Sequence, residues 1–336
     1  MIFNDVTSSF SFKMFLRIWI GLFIYEQQYF TLATFSFNQP RFRPNATWNS
    51  NATTFADQSF LGAQPVTIFV NSNNSIYLSN RLTGQIHIWQ NGNDLYPTKT
   101  IKGNLSSPAS LFVTTNGDIY VDNGKTNGSV DKWIRENETW ISVMNVTSAC
   151  YALFIDIYDN LYCSVFENHQ VDKTWSNGTT TIVAGTGVQG SESDMLDCPW
   201  GIFVDINLNL YVADSENNRI QLFRFNQRNA TTVAGKGSAK VTIKLKYPIG
   251  VILDDDQHLF IVDFGNHRII GSDENGFRCI FPCSTNDQFY GPMSMSFDSY
   301  GNIYVIDYYK SRAQKISLSK KSDRKCTENC SKIFSF

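Results

Sequence analysis

The apolar positions of this chain come in short runs that return in one register. "PVTIFVNSNNSIYLSN" from Pro65 is followed by "PASLFVTTNGDIYVDN" from Pro108 and "CYALFIDIYDNLYCSV" from Cys150. "PWGIFVDINLNLYVAD" from Pro199, "PIGVILDDDQHLFIVD" from Pro248 and "PMSMSFDSYGNIYVID" from Pro292 complete the set. The starts lie 43, 42, 49, 49 and 44 residues apart. Five of the nine prolines hold the first position, which makes this a true repeat and not an accident of composition.

Each unit reads as strands. The first run, Leu-Phe-Val or its equivalent, is continuously apolar, as a strand buried on both faces must be. A turn of Asn, Asp and Gly follows, then a second strand of the form Ile/Leu-Tyr-Val. A polar turn such as "DSENN" leads to a third strand, "RIQLF" or "QIHIW". A fourth is visible as "TTIVAG" (Thr180–Gly185) and "TTVAG" (Thr231–Gly235). Pro sits ahead of the first strand, where no ladder donor is needed. Four short antiparallel strands, repeated six times, predict an all-β, six-bladed β-propeller of four-stranded antiparallel blades. The last repeat runs out near Leu318. Upstream, "NATTFAD" (Asn51–Asp57) parallels the outer-strand sequence "NATTVAG" (Asn229–Gly235), so an N-terminal strand within residues 46–56 closes the last blade and removes its open edge. The chain divides into a leader (1–37), the propeller (45–318) and a flexible, basic, Cys-containing tail (319–336).

At the joint between second and third strands the pattern resembles the NHL-repeat family, with its strand-end Asp, spacer and Asn-His-Arg-Ile/Val. Asp214 with Asn217-Asn218-Arg219-Ile220, and Asp263 with Asn266-His267-Arg268-Ile269, are the specific matches. The third repeat keeps Asn168-His169-Gln170-Val171 but has Val165 for the Asp, and the sixth keeps Asp307 and Arg312. The residues themselves predict structural roles. Asp214 accepts turn N–H groups, Asn217 and Asn218 take left-handed backbone, Arg219 pairs with Asp214, and Ile220 enters the core between blades.

The resemblance also brings candidate chemistry. Its peptide-amidating lyase branch uses metal-binding His with catalytic Tyr and Arg facing the channel. Here His87 falls in a third strand, His258 in a turn after a first strand, and His169 and His267 in turns after second strands. They do not share an inner-strand position, as three imidazoles around one zinc ion require. A calcium-dependent, lactonase-like site would use hard oxygen ligands. Asp156, Asp205, Asp254 and Asp298 end the first strands at one register and are the candidate ring at a channel mouth, against the plainer role of capping their own turns. The family's commonest use is as a binding platform. The loops after the second strands carry Arg81, Glu216, Phe264, Tyr308 and Tyr309, and Phe264 with the two tyrosines is the expected cluster of exposed aromatic anchors.

Composition narrows this further. With 42% hydrophobic residues, 26 Phe and 15 Tyr, the chain of 336 residues can bury a large sheet core. A net charge of −2 and the lack of a long basic run before the tail argue against a nucleic-acid partner. "MFLRIWIGLFIY" (Met14–Tyr25) has the size of a signal-peptide core, cleaved or kept as an anchor. Sequons begin at Asn45, Asn51, Asn73, Asn104, Asn127, Asn137, Asn145, Asn177, Asn229 and Asn329, more than composition alone supplies. Cys279 and Cys283 are spaced for a small disulfide loop, as are Cys326 and Cys330; a Cys150–Cys198 bridge is conceivable and Cys163 reads as a small buried hydrophobe. The expectation is a secreted or membrane-tethered, glycosylated binding propeller without a cofactor, recognising a protein or small ligand. The alternative is a metal-dependent lyase or lactonase-like hydrolase at the channel mouth, with calcium as the candidate ion.

Overall fold

The computed structural model describes residues 35–43, 45–90, 96–125, 128–239, 242–283 and 288–319. Residues 1–34, Asn127, and the tail from residue 320 with Cys326, Cys330 and Asn329 lie outside the described residues. Six four-stranded antiparallel sheets form the ring. Blade 1 is β2 (Ile68–Val70), β3 (Ile76–Asn80), β4 (Gln85–Trp89) and β5 (Lys99–Lys102). Blade 2 is β6 (Leu111–Val113), β7 (Ile119–Asp122), β8 (Ser129–Ile134) and β9 (Thr139–Asn145). Blade 3 is β10 (Cys150–Ile155), β11 (Leu161–Val165), β12 (Gln170–Thr174) and β13 (Thr180–Gly185). Blade 4 is β14 (Pro199–Val204), β15 (Leu210–Asp214), β16 (Arg219–Phe223) and β17 (Thr231–Gly235). Blade 5 is β18 (Pro248–Leu253), β19 (Leu259–Asp263), β20 (Arg268–Asp273) and β21 (Gly276–Phe281). Blade 6 is β22 (Pro292–Phe297), β23 (Ile303–Asp307) and β24 (Arg312–Ile316), and β1 (Thr53–Ala56) supplies its outer strand.

The closure expected from the sequence is present. Thr53 pairs with Lys315 and Thr54 with Gln314, and Trp48 bridges to Leu318. The buried Trp48 indole donates to Gly301 O at 2.9 Å, so both ends of the ring are tied in one blade.

The folded body begins before Asn45. Residues 36–43, read in the sequence as leader and spacer, form a strap across the face that carries the turns after the first strands. Asn38 Nδ2 donates to Asn71 O (2.8 Å) and Phe297 O (3.0 Å), Gln39 Nε2 to Leu253 O and Asp254 O (both 3.3 Å). The Phe37 ring lies 5.3–6.3 Å from those of Phe112, Phe154 and Phe203. The last three, with Phe69, occupy the fifth position of successive repeats and stack around the channel at 5.1–5.2 Å. The strap therefore plugs one end of the channel with an aromatic side chain that no repeat provides.

The cysteine expectations need one correction. Cys150 pairs with Cys163, not with Cys198; the Cα atoms are 5.3 Å apart. A break in the ladder between Cys150 and Leu153 lets the entry of β10 approach β11. Cys163 is thus a bridge partner and not a plain buried hydrophobe. Cys279 and Cys283 are joined as expected, and Cys198 is a free thiol. Asn45, Asn51, Asn104, Asn137, Asn145, Asn177 and Asn229 are all exposed. No helix among the described residues is long and apolar enough to cross a membrane.

Candidate functional site

The turns after second strands and the connections between blades share one face. The repeated motif builds that face. Asp214, Asp263 and Asp307 are buried, and each accepts from an Arg Nε of the next strand: Arg219 at 2.7 Å, Arg268 at 2.8 Å and Arg312 at 2.9 Å. The second carboxylate oxygen does not serve turn N–H groups, as the sequence suggested. It accepts the N–H of Asp197, Lys246 or Tyr290 and so fixes the entry to its own blade. Burial pushes Asp214 up, and the N–H of Asp197, Arg219 and Asn217 offset it only in part.

One residue on, the motif reaches the neighbouring blade. His169, Asn218 and His267 all have positive φ, of 52°, 56° and 56°. Their side chains accept the backbone N–H of Cys198 (3.1 Å), Tyr247 (2.9 Å) and Gly291 (3.1 Å), each the residue before the next blade's first Pro. The Asn217 position instead points its amide at Asp214 Oδ2 (3.0 Å) and keeps ordinary φ. His169, Asp197 and Cys198 form the single His/Cys/Asp group of metal-ligand type among the described residues, within 4.8 Å of one another. Its imidazole lone pair is spent on the Cys198 N–H. Burial, with Asp197 beside it, pushes the Cys198 thiol up to about 12, away from the thiolate a metal needs.

At the opposite face the four candidate carboxylates stay with their own hairpins. Asp156 Oδ1 accepts the N–H of Tyr158 and Asn160, and Oδ2 accepts from Lys173 and Tyr162 (both 3.1 Å). Asp205 takes the N–H of Asn207 and Asn209, Asp254 that of His258 with its imidazole, and Asp298 those of Tyr300 and Asn302. No three of these carboxylates gather within 4.8 Å among the described residues. The strap residues Asn38 and Gln39 cross the channel end near them.

The channel above Phe37 holds a cavity of about 130 Å³. Its walls are Phe, Met, Leu, Ile and Val, with Ser110, Ser294 and Ser296; among the described residues no carboxylate, imidazole, thiol or ammonium group lines it. The mouth on the loop face is framed by Tyr151, Trp200 and Phe166, with centroids 4.4–5.4 Å apart. Burial raises the Tyr151 phenol, and Arg81, Glu167, Asp122 and Tyr308 lie within electrostatic range of it.

Of the five sequence-predicted binding residues, the structure brings Arg81 and Tyr308 toward this mouth and groups Tyr308 with Phe264 and Tyr309. Arg81 is half-buried and donates from Nε to Ser107 Oγ at 2.6 Å. Glu216 is exposed on the turn of blade 4, apart from the aromatic group. The expectation of three exposed aromatics is corrected: Phe264 and Tyr308 are half-buried against the core, while Tyr309 is 51% exposed. The missing member is Tyr290, 49% exposed, whose ring lies 4.6 Å from that of Tyr309 and 5.1 Å from His267. Phe264, Tyr290, Tyr308 and Tyr309 form a ridge over the joint between blades 5 and 6. Tyr290 sits two residues before Pro292, so the repeat register alone would have put it there.

Fold and site together define a six-bladed β-propeller with a plugged channel and a loop face built by repeated Asp-Arg joints. The NHL repeat family model matches residues 196–223, the first three strands of blade 4, so the propeller carries an NHL repeat there. No curated protein matches it. Solved structures share the fold at low identity. A streptogramin B lyase superposes with a TM-score of 0.58 at 14% identity, covering 80% of this chain and 97% of that one. A putative gluconolactonase gives 0.57 at 12% identity over 83% and 94%. A chain of a nidogen/laminin complex gives 0.57 at 15% identity over 73% and 89%.

Proposed function

We propose that this propeller is a non-enzymatic recognition module outside the cell, and that it holds a protein partner on its loop face. The observation that carries the reading is the ridge of Phe264, Tyr290, Tyr308 and Tyr309, where two half-exposed tyrosines stand on a half-buried aromatic base. Rigid, stacked aromatics offer large contact area at little entropic cost, the usual make-up of an interface anchor. The two disulfides support an oxidising compartment, and the exposed sequons agree with it. The propeller in the nidogen/laminin complex is a precedent for protein binding on this fold.

The lyase-type and lactonase-type neighbours supply the second reading, an enzyme using the channel. What weighs against it is the lining: a general acid or base must lie within hydrogen-bond reach of the substrate, and among the described residues the one ionisable group at the cavity is the Tyr151 phenol. Affinity capture from extracellular fluid, with the folded propeller and its Tyr290→Ser/Tyr309→Ser variant, tests the proposal. A partner retained by the parent and lost by the variant, at equal melting temperature, is expected. Equal retention by both would remove the ridge as the site.

A further inference from the structure

A second feature of the loop face is electrostatic. Where the turn of blade 4 meets the entry to blade 5 there is an open groove of about 880 Å³. Lys236, Lys244 and Lys246 line it, with Tyr247, 41% exposed, at its edge and Asn218, Asn266 and Arg268 along the facing wall. Among the described residues no carboxylate lines it. Arg268 is already neutralised by Asp263 at 2.8 Å. The three lysines are exposed, and their ammonium groups have no hydrogen bond or ion pair among the described residues. From Lys236 to Leu253 the sequence contains no acid, although the whole chain has a net charge of −2. An unpaired cationic strip against an acidic average marks a site for a polyanion.

We propose that this groove binds a sulfated polysaccharide of heparin type. Three features select that class. The cations are lysines, compact hydrated point charges suited to sulfates spaced along a flexible chain; a clamp on one phosphate or carboxylate would call for the planar fork of Arg. The groove is open and, at about 880 Å³, has room for more than one sugar ring, and Tyr247 offers an aromatic face for one of them. The disulfides support an oxidising, extracellular compartment, where sulfated glycans are abundant polyanions. The groove lies at a different joint from the aromatic ridge and does not need it, but the choice of a sulfated glycan rests on the extracellular reading above.

The test is calorimetric titration of the full chain with a heparin octasaccharide, its fully desulfated form, and single-stranded DNA of equal charge. Sulfate-dependent binding is expected, with an affinity that falls with salt at a log–log slope of about −2 to −3, one counter-ion released per lysine. Lys236→Ala/Lys244→Ala/Lys246→Ala should weaken it by about tenfold or more with the melt unchanged, as loss of three charge contacts requires. A control of equal charge change, Lys102→Ala/Lys125→Ala/Arg135→Ala, should leave it within about twofold, since those groups lie away from the groove. Equal binding by the desulfated sugar, equal or tighter binding by the DNA, or equal loss in both triple variants would each overturn the assignment.

Discussion

The imidazole Nδ1 of His267 in blade 5 accepts the backbone N–H of Gly291 at the entrance to blade 6, 3.1 Å away. Asn218 makes the same contact to Tyr247, His169 to Cys198, and the Ser311 hydroxyl to Gln64 across the closing joint (3.3 Å). Four of the six joints are therefore fastened by one side chain held in a left-handed turn; between blades 1 and 2 the position is Gly84, which has no side chain to offer. Asn218 and His267 also shape the loop face, because Asn218 holds the Tyr247 N–H and the His267 ring lies 5.1 Å from that of Tyr290.

His267→Asn should be nearly neutral, since Asn tolerates the left-handed backbone and its amide oxygen does this task at position 218. His267→Ala should cost about 1–2 kcal/mol, from a lost hydrogen bond and a residue forced into positive φ. Urea midpoints of the two variants check this. Equal losses would mean that the acceptor atom does not matter.

Asp122 departs from its relatives. It occupies the register of Ala213 and Val262, facing the core between blades, and is fully buried. Neither oxygen has a hydrogen-bond partner of good geometry. Burial raises its pKa from 3.8 to about 7, and the N–H groups of Cys150, Ala109 and Gly124 offset this only in part. A raised carboxyl pKa means that the folded state holds more protons than the unfolded chain between about pH 4 and 7. Stability should therefore fall as pH rises through that window, by about 4 kcal/mol at most. Asp122→Asn should raise the melting temperature at pH 8 and leave it nearly unchanged at pH 4. A gain that does not depend on pH would show that the side chain is not titrating.

How much of this was legible in the sequence follows from where each feature lives. The ring, the blade register and the closing strand depend on residue type at a fixed period, and Pro65 through Pro292 carried them. The aromatic tier of Phe69, Phe112, Phe154 and Phe203 was equally periodic. Its plug, Phe37, was not, because it lies outside every repeat. The Cys150–Cys163 bridge depends on a ladder break, a backbone property with no residue signature here. His267 could be recognised as a turn residue, but its acceptor role needs the next blade's N–H, and no local pattern supplies that. The lysines of the groove are scattered among apolar and small residues, so a search for charge runs passes over them.

Cysteine reactivity gives a direct check on the bridges. Under native conditions at pH 8, Cys150, Cys163, Cys279 and Cys283 should resist alkylation until reduced. Cys198 should label slowly, because its partly buried thiol, with Asp197 beside it, is pushed up to about 12 and the thiolate is the nucleophile. Reducing the Cys150–Cys163 bridge should cost about 3 kcal/mol, the loop-closure value for a ring of this size. Peptide mapping with and without reductant reads all three, and rapid native labelling of Cys198 would contradict the buried environment.

Calcium should do little. The carboxylates of Asp156, Asp205, Asp254 and Asp298 are committed to turn N–H groups, and in Asp156 also to Lys173. Calcium needs about six to eight oxygen ligands, and a ligand bound only to the folded state raises its melting temperature. Millimolar calcium should leave the melt unchanged. A concentration-dependent rise would place a cation at that face after all.

The channel plug makes the last prediction. Phe37 touches three aromatic rings from three blades, while its backbone neighbours are fixed by Asn38 and Gln39. Phe37→Ala removes the ring without freeing the strap, so the cavity of about 130 Å³ above it should enlarge and open toward the other face. The expected cost is about 2–3 kcal/mol, less than for a fully buried Phe because this one is half-buried. Phe37→Leu keeps most of the volume and should cost under about 1.5 kcal/mol. Phe225→Ala, at a residue 46% exposed on the surface, should change little. Melts of the three variants, with binding of a small apolar dye, separate the terms. Dye uptake should appear in Phe37→Ala alone; uptake by the parent protein would mean that the ring does not seal the channel.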